Sequence, residues 1–122
     1  MTTILGIDPG LTRLGVGVVK QGGGRTVSLL HVEVLRTPAT SEISHRLGTL
    51  SGAIDELLAR FTPDIVALER VFAQHNVRTV MGTAQVSGVV LALAHARSIP
   101  VSLRTPSEVK AAVTGHGRAN KQ

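Results

Sequence analysis

Two acidic residues occupy positions where chemistry could be done, each directly after a short apolar run. Asp8 follows the run over residues 3–7, and Glu69 follows the run over residues 65–68. Both runs have the pattern of strands. If the two strands are parallel neighbours, the carboxylates at their ends are only about 5 Å apart. Like charges at this separation resist joint ionisation unless a cation lies between them.

A hard divalent cation such as Mg2+ is the simplest partner for this pair, because it prefers carboxylate oxygens. Two such ions clamp the attacking and leaving oxygens of an in-line displacement at a phosphodiester. We therefore predict that Asp8 and Glu69 are catalytic residues and metal ligands. Each has a simpler explanation, since Asp-Pro-Gly is a common turn and Glu69 alone is an ordinary strand-end acid. Their convergence in an acid-poor chain favours the chemical interpretation.

The charge of the chain is strongly asymmetric. Its 122 residues carry 13 Lys and Arg against 8 Asp and Glu, a net charge of +5, and ten of the cations are arginine. Residues 1–69 have a net charge of −1, whereas residues 70–122 have a net charge of +6. Because arginine suits bidentate contacts with phosphate, we predict that this basic part faces a polyanion. A solvated basic face without a partner is the alternative.

Phe72 lies outside any apolar periodicity, in the polar segment between Arg70 and Arg78. An aromatic ring beside arginines can stack on an unpaired base, so these three residues are predicted nucleic-acid contacts. A hydrophobic plug or a subunit contact is the competing interpretation for Phe72. Arg118 belongs to the same basic part and is a further candidate for the nucleic-acid-binding surface.

Composition excludes several classes of site and location. The chain has no cysteine, which rules out disulfides, thiolate metal sites, cysteine nucleophiles and iron–sulfur clusters. The five histidines show no metal-ligand spacing, so we expect them to be structural or exposed. The N-terminus lacks the basic region of a signal peptide, and the longest nearly apolar stretch, residues 86–96, is too short to span a bilayer. We expect a cytoplasmic protein.

Apolar patterning also predicts the elements that position these residues. Three short strands, over residues 3–8, 14–20 and about 27–34, form an antiparallel meander. A helix over about 41–61, a strand over 65–68, a small-residue helix over about 77–97 and a strand over 101–103 follow, and a further helix begins at Thr105-Pro106. A right-handed helical crossover can place the fourth strand beside the first. The prediction is an α/β fold with a mixed five-stranded sheet flanked by helices.

Three segments resemble the RuvC family of bacterial Holliday junction resolvases: ILGIDPGLTRLGVGVV at 4–19, VALERVF at 66–72 and TPSEVKAAVTGHGRANK at 105–121. The resemblance implies an RNase H-like fold and a homodimer that nicks opposed strands of four-way DNA junctions in recombination and repair. It implies Mg2+ as cofactor, two ions per complete site with Mn2+ as a substitute, and RuvA and RuvB as partners. Asp8 and Glu69 match the family's first two catalytic carboxylates. Phe72 matches an aromatic at the junction, and Lys110 and Lys121 match basic residues near the scissile phosphate.

Proteins of this family continue for several tens of residues and carry further acids, whereas nothing acidic follows Glu108 here. We therefore expect residues 1–122 to form a single RNase H-like nuclease domain that is incomplete at its C-terminus. We expect this chain by itself to be inactive or weakly active. Two alternatives stay open: a non-cleaving junction-binding fragment, and another RNase H-like nuclease, of the YqgF type, acting on RNA.

Overall fold

The structure, a computed structural model, describes residues 1–24, 26–70 and 77–104. The predicted element order is confirmed over these ranges. The helix predicted after Thr105 lies outside the described residues. In chain order the elements are β1 (Thr2–Asp8), β2 (Arg13–Gln21), β3 (Val27–Arg36), α1 (Ile43–Phe61), β4 (Ile65–Glu69), α2 (Val77–Ala96) and β5 (Val101–Arg104).

The strands form one five-stranded sheet in the order β3-β2-β1-β4-β5. The β1–β2 and β2–β3 pairs are antiparallel, as tight connections require. The β1–β4 and β4–β5 pairs are parallel, because α1 and α2 carry the chain back across the sheet between them. The mixed sheet and the meander are therefore confirmed, and β4 lies beside β1.

The core lies between one face of the sheet and the two helices. Alternate strand residues point to this face, and α1 and α2 cover it with apolar stripes at helical spacing. Phe61, which is in phase with the apolar stripe of α1, is only partly buried at the edge of the core. The buried core residues include Leu5, Ile7, Leu14, Val16, Val18, Leu50, Ile54, Leu57, Leu58, Val66, Leu68, Val86, Val90 and Ala94.

Helix α2 has one buried and one exposed face. Its buried residues Val86, Val90 and Ala94 recur every four positions, the pattern of a helix packed on a sheet. On the other face Met81 is 59% exposed and Leu91 42% exposed. By length and composition alone, Thr79–Ala96 is apolar enough to cross a membrane, although 28% of it is buried here. This stretch is longer than the one recognised from the sequence, because the helix begins nine residues before Val86.

The register between β1 and β4 is set where the two strands begin. Thr62 is the C-cap of helix α1. Its left-handed backbone (φ 39°) and the hydrogen bond that its N–H donates to the Leu58 carbonyl (2.9 Å) turn the chain toward the sheet. The Asp64 N–H then donates to the Thr3 carbonyl (2.8 Å), and the Thr3 N–H donates to Asp64 Oδ2 (2.7 Å). This reciprocal pair brings the two strands into step at their first residues.

Candidate active site

The two predicted carboxylates lie at the ends of neighbouring parallel strands. Ile7 of β1 is level with Leu68 of β4, and the next residue of each strand is Asp8 and Glu69 respectively. Because Ile7 and Leu68 are fully buried in the core, strand alternation directs the two acids to the opposite face of the sheet. Asp8 is exposed and Glu69 is partly buried. The structure thus brings together the two acids that the sequence singled out.

The two carboxylates are close enough for one to raise the pKa of the other. Burial raises the pKa of Glu69, and the hydrogen bond and negative charge of Asp8 raise it further, to about 7. Near neutral pH Glu69 is therefore partly protonated, at a site whose oxygen donors suit a hard divalent cation. Among the described residues, no group of three or more His, Cys, Asp or Glu side chains comes together. The pair thus offers two candidate metal ligands within the described part.

Two glycines shape the surroundings of Asp8. Gly15 is its cross-strand partner on β2, and an added Cβ there would lie 3.5 Å from the Asp8 Cβ, so glycine leaves that flank open. In the turn after β1, a Cβ on Gly10 would collide with the Arg13 carbonyl oxygen. The turn was evident from the sequence, but no role was predicted for either glycine. Their closeness to Asp8 in the sequence could have indicated that they shape its surroundings.

Arg46 of α1 is a buried cation that the sequence analysis missed. It is 9% exposed. Its Nε donates to Thr37 Oγ1 (2.9 Å) and its Nη2 to Thr12 Oγ1 (2.8 Å), so it ties the loop after Asp8 to α1. Its position four residues before Leu50, in phase with the apolar stripe of α1, was the signal for burial.

The predicted DNA contacts are only partly within the described residues. Arg70 directly follows Glu69 and is exposed, and Arg78 lies in the first turn of α2. Strand β5 ends at Arg104, which is the register partner of Glu69. A further basic residue therefore lies at the same end of the parallel strands as the carboxylate pair. The remaining predicted contacts lie outside the described residues: Phe72, Lys110, Arg118 and Lys121.

His31 makes contacts that link two elements of the fold. His31 Nε2 lies 2.9 Å from Glu33 Oε1. Its ring centroid is 5.3 Å from that of Phe61, over which the Arg60 guanidinium also lies, 4.7 Å from the centroid. These contacts join β3 to the end of α1. They agree with the expectation that the histidines are structural or exposed.

Comparison with known proteins identifies close relatives of the chain. The family model described as "Crossover junction endodeoxyribonuclease RuvC" matches residues 4–122. The chain is 60% identical to the protein of that name from Saccharopolyspora erythraea over 119 residues, which is 98% of this chain and 60% of the relative. Identity to the Streptomyces coelicolor protein of the same name is 57%, over 97% of this chain and 63% of the relative.

Solved structures give the same result. The structure described as "T. thermophilus RuvC in complex with Holliday junction substrate" superposes with a TM-score of 0.81 at 33% identity, covering 90% of this chain and 68% of that chain. The RNase H-like architecture is thereby confirmed. The chain spans about three fifths of the length of the relatives named above. The match decides between the two RNase H-like families considered from the sequence: the chain belongs to the RuvC family.

Proposed function

We propose that the protein is a divalent-metal-dependent endonuclease that resolves four-way DNA junctions by paired nicking in recombination and repair. The observation that carries the proposal is the Asp8–Glu69 pair, level at neighbouring strand ends, with the pKa of Glu69 raised to about 7. Its relatives are named crossover junction endodeoxyribonucleases, and one structural neighbour is described in complex with a Holliday junction. The basic charge of residues 70–122 supports a DNA substrate.

In this proposal Asp8 and Glu69 would both hold Mg2+, or Mn2+ in its place, through their carboxylate oxygens. When bound, the metal would supply an activated water and stabilise the charge that develops on the phosphate. The protein's own residues position these oxygens through the β1–β4 register and keep the Asp8 flank open at Gly15. Exposed Arg70 is next to the pair and is proposed to hold the DNA backbone. Proposed contacts beyond it are Phe72, Arg78, Lys110, Arg118 and Lys121.

A second candidate is a junction-binding chain that does not cleave. It is favoured by the number of ligands, since the described residues bring two carboxylates together and no third ligating side chain. A two-metal site normally takes more ligands than two. We therefore expect a chain with this pair alone to bind the junction without cleaving it. Nicking should require a metal site that further carboxylates complete.

We also propose that the protein is a homodimer that pairs through the exposed face of α2. The face opposite the buried stripe presents Met81, Gly88 and Leu91 to solvent. A face this apolar on a 20-residue helix favours a protein partner. Cooperation with RuvA and RuvB and a cytoplasmic location are proposed from family membership alone.

The substitution Asp8→Asn, made in the protein at the full length of its relatives, tests the nuclease proposal. Removing one charged metal ligand should lower nicking of a four-way junction with Mg2+ or Mn2+ by more than about 100-fold. Junction binding, measured by fluorescence anisotropy, should persist because the change removes a negative charge. Glu56→Gln, which neutralises an exposed acid on α1, is the matched control and should nick like the wild type.

The same assay separates the alternatives. Cleavage by the Asp8→Asn variant at the wild-type rate would overturn the assignment of the metal site. Tight junction binding by the wild type without nicking would favour the second candidate. Preference for linear RNA over branched DNA would contradict both.

A further inference from the structure

We propose that Arg46 and the cleft it lines form a subsite for a DNA backbone phosphate, separate from the Asp8–Glu69 pair. The inference rests on the proposed function in that it takes DNA as the ligand. It assigns a binding role to a buried arginine that the metal site does not use. The observations that carry it are the residues that line the cleft, the surroundings of the Arg46 charge and the number of its remaining donors.

The cleft has a volume of about 590 Å3 and lies between the loop after β1, helix α1 and the first two turns of α2. Gly10 and Thr12 of that loop form one wall, and Thr79 and Thr83 of α2 form another. Arg46 lines the cleft from α1. The loop leaves the sheet directly after Asp8, so the cleft and the carboxylate pair are at the same end of β1.

Arg46 carries a charge that its described neighbours do not neutralise. Its hydrogen-bond partners are the hydroxyls of Thr37 and Thr12, and no ion pair joins it to a carboxylate within residues 1–24, 26–70 and 77–104. A nine-tenths buried cation without an opposite charge is costly, because it loses hydration without electrostatic compensation. An anion bound in the cleft would supply that compensation.

The guanidinium also has donors available to such an anion. It has five N–H groups, and the two threonines take one each. In the described part of the chain Nη1 donates to no protein atom, and Arg46 is one of the residues that line the open cleft. The hydroxyls of Thr12, Thr79 and Thr83 add neutral donors at its walls.

Arginine donors together with hydroxyls are the usual partners of phosphate oxygens. A nucleic-acid backbone offers phosphates in series, so a strand bound at the end of β1 that carries Asp8 has further phosphates for this cleft. A phosphate held by Arg46 would fix the position of the strand relative to Asp8. The proposed role is therefore substrate positioning through a direct phosphate contact.

The variant Thr79→Glu tests the subsite without removing Arg46. A carboxylate at this exposed position should pair with Arg46 and exclude phosphate, while Thr79→Gln matches its size without the charge. We expect Thr79→Glu to weaken junction binding about tenfold, and the slope of log affinity against log salt to become shallower by about 0.9, one phosphate contact. Thr79→Gln should lose less affinity than Thr79→Glu and keep the wild-type salt slope, because it adds no charge. The exposed α1 control Thr49→Glu should bind within about twofold of wild type.

Two further arms complete the test. Arg46→Gln should give the same loss as Thr79→Glu, and if it fails to fold, the Thr79 pair decides. Inorganic phosphate, at ionic strength matched with chloride, should shift the NMR resonances of the Arg46 guanidinium in the wild type but not in Thr79→Glu.

Wild-type affinity and salt slope in Thr79→Glu would overturn the proposal. A response to inorganic phosphate with unchanged DNA binding in Thr79→Glu would reassign the cleft to free phosphate and also overturn it. Weakened DNA binding in Thr79→Glu by a protein that does not nick would support the subsite while contradicting the nuclease proposal.

Discussion

Asp8 and Glu69 are individually ordinary acids. They form a candidate metal site because the neighbouring parallel strands β1 and β4 end at the same level. The reciprocal hydrogen bonds between Thr3 and Asp64 fix the register of β1 and β4 at the start of the strands. Five residues later, that register places Asp8 level with Glu69. The two carboxylates share a hydrogen bond and repel each other when both are ionised. A proton or a divalent cation relieves that repulsion, so the two compete for the same place.

The raised pKa of Glu69 predicts a stability that depends on pH in the absence of metal. The folded state holds the Glu69 proton more tightly than the unfolded state, so this stabilisation is fully present below the ordinary glutamate pKa and is lost as pH rises through about 7. Two like charges about 5 Å apart in a largely aqueous setting predict a fall on the order of 1 kcal/mol in the free energy of unfolding. Urea denaturation between pH 5 and pH 8 measures it.

Asp8→Asn should flatten this pH dependence, because it removes the neighbouring charge, and Glu56→Gln should leave it unchanged. Adding Mg2+ at pH 8 should restore the stability of the wild type. Parallel profiles for the wild type and Asp8→Asn would show that the pair is not coupled.

At the scale of elements, the loop between β1 and β2 links the carboxylate pair to the helical layer. Gly10 allows its tight turn, and Leu11 packs against Gly82 of α2, where an added Cβ would lie 3.3 Å from the Leu11 side chain. Arg46 fixes the same loop to α1 through Thr12. The position of Asp8 therefore depends on two helices besides its own strand.

Substitution of Gly10 should show this dependence. Gly10→Ala places a Cβ against the Arg13 carbonyl and should lower the free energy of unfolding by about 2 kcal/mol. Gly52→Ala on α1 is the matched control, since nothing lies within 4 Å of its added Cβ, and it should raise stability by about 0.5–1 kcal/mol. Equal urea midpoints for the two variants would contradict the steric argument.

At the scale of the whole molecule, the described cations of the basic part include both an exposed arginine beside the carboxylate pair and an arginine held in an ion pair. Arg70 is exposed next to Glu69. Arg97, at the far end of α2, donates from Nε and Nη2 to the Asp55 carboxylate at 2.8 and 3.2 Å. Net charge alone therefore overstates the number of cations available to a polyanion.

This division predicts different salt dependences for two arginine variants. Arg70→Gln should reduce junction affinity and make the slope of log affinity against log salt shallower by about 0.9, because one phosphate contact is lost. Arg97→Gln removes the same charge at the Asp55 pair and should leave the slope unchanged. Anisotropy titrations over a range of salt concentrations measure both, and identical slopes would remove Arg70 from the DNA surface.

The exposed face of α2 predicts how the molecule assembles. Leu91→Glu introduces a charge on this face, away from the Val86, Val90 and Ala94 stripe, and should shift a dimer to a monomer by more than about tenfold in dissociation constant. Sedimentation velocity measures the assembly, and thermal unfolding verifies that the monomer folds. Ala59→Glu, an exposed position on α1, is the control and should leave the assembly unchanged.

The sequence by itself determined the elements and the two acids. Apolar alternation and helical spacing are local properties, so β1 to β5, α1 and α2 were predictable to within a few residues, and Asp8 and Glu69 stood out at strand ends. The crossover rule even placed β4 beside β1. Family membership was equally readable, since the matching segments are continuous in sequence.

The tertiary structure alone decided the exact register, the burial of Arg46 and the cleft it lines. These depend on contacts between residues distant in sequence: Asp64 with Thr3, Arg46 with Thr12, and Leu11 with Gly82. An arginine on an amphipathic helix is ordinarily exposed, and only the packing of α1 against the loop after Asp8 buries this one. Local patterns reveal which side chains could react, whereas long-range packing decides which charges meet and which lack a partner.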